Sequence, residues 1–139
     1  MGDARLSLAT GPVGRFDLLI LDAFSSDSVP VHLLTREAMA TYAHTLRPGG
    51  LLLFHLSNRY YDLDPAVAAT ARAAGFAALA MHRDATPTNP IPDAASGSIW
   101  VIAGTAGDVA RFAATGWADP QPGPVLTDDF SDLLRTLRP

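Results

Sequence analysis

Phe16–Pro30 reads FDLLILDAFSSDSVP. From Phe16 to Leu21 every position but Asp17 is apolar, the run closes on Asp22, and small polar residues follow it. A short run with no alternation fits a strand buried on both faces, the kind that parallel sheets contain. Downstream, Leu33–Leu46 reads as a helix. Thr35 is its N-cap, Met39, Tyr42, Ala43 and Leu46 fall on one face, and Arg47-Pro48-Gly49-Gly50 stops it. Leu51–Leu56 is a second buried strand. Asp64-Pro65 opens a helix that runs to Ala74 and ends at Gly75. Phe76–Met81 and Ser98–Ala103 are the third and fourth strands, and the Pro-rich stretch 85–97 joins them as a loop. Residues 107–115 read as a short helix and 116–124 as an irregular connection. Asp128 or Asp129 caps a last helix carrying Phe130, Leu133, Leu134 and Leu137. Upstream, residues 3–10 form a short helix ended by Gly11-Pro12.

Strands that alternate with helices predict an α/β domain with a mostly parallel sheet. The third and fourth strands have only a loop between them. A parallel crossover takes a dozen or more residues, usually helical, so the last strand is expected to run antiparallel.

Composition narrows the function. The chain has 139 residues, 48% hydrophobic and 17% charged, which suits one domain with a real core. Ten basic residues, all Arg, stand against 14 acidic ones. That balance argues against nucleic-acid binding, which needs a basic patch. There is no Cys, so disulfides, thiolate zinc sites and a Cys nucleophile are excluded. The four His show no metal-ligand spacing. No apolar run approaches the roughly 18 residues of a membrane span and no signal peptide pattern opens the chain, so a cytoplasmic location is expected.

Four blocks, taken in order, carry a resemblance: GDARLSLA from Gly2, FDLLILDAFSSDSVP from Phe16, LRPGGLLLFHLSNRY from Leu46 and TDDFSDLL from Thr127. Together they resemble the polyamine aminopropyltransferase (spermidine synthase-like) superfamily, above all bacterial spermidine-synthase-like domains, some of which are fused to membrane transporters. LRPGG before a strand occurs across class I methyltransferases. The combination of GDAR, DAFSSDSVP and TDDFSDLL is the specific part.

The resemblance implies the C-terminal half of a Rossmann-like class I methyltransferase-type fold. It implies transfer of an aminopropyl group from decarboxylated S-adenosylmethionine to a polyamine amine, with no metal. Gly2 and Asp3 match the pair that reads the cofactor's adenine. Asp22 matches the carboxylate that helps deprotonate the attacking amine. Asp27 matches a second, polyamine-holding carboxylate only approximately, because the spacing is two residues longer than the family's D-x-x-D-P. Ser25 on the same loop and Tyr60 beyond the second strand are further substrate-binding candidates, and Asn58 and Tyr61 flank Tyr60. Simpler readings stand beside these: Asp22, Asp27 and Asp3 as turn or helix caps, the serines as loop hydrogen bonders, His55 as a packed or supporting residue, and Trp100 and Trp117 as core or interface aromatics.

The family's glycine-rich cofactor loop and the acidic residue that grips the ribose have no counterpart in this sequence. Residues 1–139 therefore read as a single partial domain without the N-terminal strands, and the isolated chain is expected to show little or no catalysis. In the full fold the sheet order resembles 3-2-1-4-5-7-6. Loss of three strands leaves Phe16–Leu21 on an open, apolar edge. Pairing there with a missing N-terminal half or with a second copy is expected. Two alternatives stay open, an S-adenosylmethionine-dependent methyltransferase-like domain and a noncatalytic half-domain that needs a partner chain.

Overall fold

The computed structural model describes residues 4–22, 29–58, 60–84, 97–130 and 136–137. Four strands form one sheet: β1 (Phe16–Leu21), β2 (Leu46–His55), β3 (Ala77–Arg83) and β4 (Ser98–Gly104), in spatial order β1-β2-β4-β3. β1 and β2 are parallel, and β4 runs antiparallel to both of its neighbours, so β1, β2 and β3 all point the same way. The mixed sheet with one reversed strand, and the place of the Phe16–Leu21 strand at its edge, match the expected fold class.

Three helices, α1 (Ala4–Ala9), α2 (Arg36–Thr45) and α3 (Asp64–Ala73), belong to one layer, with α2 and α3 against the sheet and α1 against α2. Thr35 does cap α2: its backbone is extended and its Oγ1 accepts from the Ala38 N–H at 3.3 Å. The helix is shorter than the sequence predicts. Val31–Leu33 forms a separate 3-10 turn, and the Tyr42 hydroxyl donates to the Leu33 carbonyl at 2.9 Å to hold it. Pro65 sits in the first turn of α3, and Gly75, at φ 94°, ends it in the left-handed conformation that favours glycine. The core between sheet and helices joins Leu52 and Phe54 of β2 to Met39 and Tyr42 of α2 and to Val67 of α3, all fully buried.

The opposite face of the sheet corrects one expectation. Leu18 and Ile20 remain 47% and 53% exposed, so β1 is buried on one face only. Their β2 partners Leu51 and Leu53 are half-buried. The fourth expected helix is also smaller than the sequence predicts. In place of a helix over 107–115 there is α4 (Ala106–Ala110) and a 3-10 turn at Ala113–Thr115. Thr105 caps α4, while Gly116 at φ 90° closes the 3-10 turn. Most of the expected last helix lies outside the described residues.

LRPGG is read by the structure in two ways. It ends α2, and it also forms the start of β2, where the register jumps from Phe16↔Leu46 to Leu18↔Leu51 and so bulges the chain. A Cβ on Gly50 would sit 2.9 Å from the carbonyl oxygens of both Arg47 and Phe16, so only glycine fits the return from that bulge.

Asp128 ties this layer together. Its carboxylate takes a two-pronged ion pair from Arg5 of α1 (2.8 and 2.7 Å) and a 2.7 Å hydrogen bond from the Thr35 hydroxyl, while its own N–H donates to Glu37. The Arg5 hydrogen bonds, then that of Thr35, pull its pKa down to about 2. A carboxyl depressed in the fold stabilises it above the unfolded Asp value of about 3.9. That contribution is lost as pH falls through the folded value. Asp128→Ala is therefore expected to lower stability by about 1 kcal/mol at neutral pH, a figure held down by the pair's exposure. The deficit relative to the parent should vanish between about pH 4 and pH 2. Thermal unfolding of both proteins across that range checks it, and a deficit unchanged at pH 2 contradicts it.

Candidate functional site

The carboxyl ends of parallel strands are where open α/β sheets bind ligands. Here β1 and β2 end side by side. Leu21 pairs with Phe54, so the next residues, Asp22 and His55, are lateral neighbours on the sheet face away from α2 and α3. His55 lies directly across from Trp100 of β4, and Trp100 lies across from Met81 of β3. The result is a row, Asp22–His55–Trp100–Met81, that crosses all four strands.

The contacts within this row are specific. His55 Nδ1 is 2.9 Å from Asp22 Oδ1, and the imidazole stacks on the Trp100 ring with centroids 4.4 Å apart and planes 26° from parallel. The Asp22 side chain is 61% exposed and that of His55 27%. A carboxylate offers acceptors only, so the imidazole N–H is at Nδ1. One oxygen of Asp22 is engaged by His55. The other has no partner among the described residues. An exposed carboxylate with a free oxygen can accept a proton or bind an ammonium group.

Asp22 is therefore brought to the expected end of the sheet. His55, read from sequence as a packed or supporting residue, is its direct partner. The sequence shows only that His55 interrupts an apolar strand; that it meets Asp22 follows from the parallel register. Tyr60 is half exposed just past β2, where the Asn58 side chain fixes the turn: its Oδ1 accepts from the Tyr60 and Tyr61 N–H groups at 3.0 and 2.6 Å, and its Nδ2 donates to the Leu56 carbonyl. Asn58 thus shapes the backbone of this turn. Gly2, Asp3, Ser25 and Asp27 lie outside the described residues.

Among the described residues, hollows lie elsewhere, two of them well formed. The larger, about 630 Å³ and wide open, lies at the amino ends of β1 and β2, against Gly14, His44, Arg47 and Gly49. The smaller, about 220 Å³, lies beside the start of α3, where the buried Asp64 carboxylate meets His82 Nε2 at 3.0 Å. Neither includes Asp22 or His55. Among the described residues no group of three or more His, Asp or Glu side chains could hold a metal ion. No helix among them is long and apolar enough to cross a membrane.

No family model matches the chain, and no curated protein matches it in sequence. A solved structure does: the chain is similar to a probable spermidine synthase from Corynebacterium glutamicum ATCC 13032, with a TM-score of 0.63 and 20% identity. The likeness fixes the fold. It spans 96% of this chain and 55% of the solved one, so the chain corresponds to about half of that protein's length. The Rossmann-like, methyltransferase-type sheet is thus shared with a solved protein described as a probable spermidine synthase.

Proposed function

We propose that the chain is the carboxyl-side part of a spermidine synthase-like aminopropyltransferase domain. It would move an aminopropyl group from decarboxylated S-adenosylmethionine to an amine of a polyamine, in a cytoplasmic setting. The observation that carries this reading is Asp22, an exposed carboxylate at the carboxyl end of β1 with one oxygen held by His55. A free amine has a pKa near 10 and enters protonated, so the nucleophile needs a carboxylate that can orient it and take its proton. The solved neighbour described as a probable spermidine synthase supports the choice of chemistry.

Asp27, Ser25 and Tyr60 are proposed to hold the polyamine, and Gly2 and Asp3 the adenine. Decarboxylated S-adenosylmethionine would be a co-substrate gripped mainly by chain beyond these residues. In-line displacement at a sulfonium carbon takes positioning and a neutral nucleophile. The experiment is a competition in the natural full-length polypeptide, with calorimetric binding of the decarboxylated and carboxylated forms of S-adenosylmethionine. Tighter binding of the decarboxylated form is expected. A preference for the carboxylated form would overturn this reading in favour of a methyltransferase.

We also propose that the open edge of β1 is paired in the working protein, by the remainder of such a domain or by a second copy. Leu18 and Ile20 support this, since a long apolar edge strand invites pairing. Sedimentation of the 139-residue chain should show association. A monomer whose amides at 16–21 exchange slowly would contradict it.

A further inference from the structure

We propose that His55 is the positioning residue of Asp22: its Nδ1–H holds one carboxylate oxygen so that the other faces the attacking amine. The inference rests on the aminopropyl-transfer reading and adds a residue that the reading did not contain.

The geometry fixes the imidazole from two sides. Its edge meets Asp22 Oδ1 at 2.9 Å, and its face lies on Trp100 at 4.4 Å. The ladder supplies that second contact, because His55 and Trp100 are directly opposed in the β2–β4 register. A ring held in plane by an aromatic partner cannot turn away without losing the stack. Its N–H therefore points along the sheet at the β1 strand end. Asp22, 61% exposed and at the end of an edge strand, has little else among the described residues to set its rotamer. Asp22 supplies the charge and His55 the direction.

In the transfer step the lone pair of the neutral amine forms the new C–N bond at the propyl carbon. The C–S bond breaks and its electron pair stays on sulfur, which leaves as a neutral thioether. Asp22 Oδ2 takes one proton from the entering ammonium before the attack, and the product nitrogen stays protonated as a secondary ammonium. Throughout, Nδ1–H of His55 remains on Oδ1 and keeps Oδ2 turned to the nitrogen. The imidazole touches no reacting atom.

Two substitutions separate direction from packing. His55→Phe keeps a ring on Trp100 and removes the donor. His55→Asn keeps an N–H near the Nδ1 position and removes the stack. In the natural full-length polypeptide, His55→Phe is expected to lower kcat roughly 10²-fold with KM little changed, the scale of a misplaced catalytic group. His55→Asn should stay within about threefold of the parent. Any other pattern overturns the proposal, including an active His55→Phe or a His55→Asn as poor as His55→Phe. Asp22→Asn, run alongside, tests the underlying reading separately, since full activity there defeats that reading whatever His55 does.

A spectroscopic readout needs no activity. In the 139-residue chain, nitrogen NMR of the neutral His55 ring should find its proton on Nδ1, and Asp22→Ala should abolish that preference. A parent ring protonated on Nε2 would overturn the proposal.

Discussion

Asp22→Asn should lower aminopropyl transfer by about 10² to 10⁴-fold, the range a positioned proton acceptor contributes. The loss should fall on kcat and on amine binding alike, because the amide still accepts a hydrogen bond but can neither take a proton nor match an ammonium charge. Folding should be unaffected. The side chain is 61% exposed, and its single described contact is the His55 hydrogen bond, which an Asn oxygen reproduces. Steady-state rates with the natural full-length polypeptide, paired with thermal melts, check both halves. Undiminished turnover in a folded variant would remove Asp22 from the chemistry.

Phe54→Ala should be the most damaging single change to stability among the core positions of β2. Phe54 is fully buried, precedes His55 on the strand and packs within the cluster that includes Met39, Tyr42 and Val67. Truncation of a buried Phe costs about 3–5 kcal/mol, from lost transfer energy plus an unfilled cavity. That is a large part of the roughly 5–15 kcal/mol that holds a domain together. Urea unfolding should show a lower midpoint at unchanged slope. A loss under about 1 kcal/mol would mean that the site is able to collapse, and that β2 is not pinned as described.

Phe54 also shows why the sheet was legible from sequence and its surroundings were not. The apolar runs Phe16–Leu21 and Leu51–Leu56 announce strands, and the loop-only link at 85–97 announces the reversed strand, since strand direction follows from local chain length. Burial does not follow from the same runs. Leu18 and Ile20 read as core because they are apolar, yet among the described residues both stay exposed. The helix expected over 107–115 broke at Ala110 because its sequence offers a cap at Thr105 but little apolar periodicity after Val109. Asp22 was legible as a strand-ending carboxylate. The role of His55 was not, because it depends on parallel register: only when Leu21 lies beside Phe54 do the next residues on the two strands meet. Asp128 is bound by Arg5 and Thr35, partners 123 and 93 residues away that no local pattern announces, while most of the helix expected to follow it lies outside the described residues.

Whether a cationic amine settles at the end of β1 is best measured by titrating putrescine into the natural full-length polypeptide with a bound nucleoside thioether, Trp117 and any other tryptophan except Trp100 replaced by Phe so that Trp100 alone fluoresces. A saturable change in Trp100 emission, accompanied by NMR shifts at Asp22 and His55 and absent in Asp22→Asn, is the expected result. Saturable putrescine binding that leaves Trp100, His55 and Asp22 undisturbed, or that survives Asp22→Asn unchanged, would contradict it.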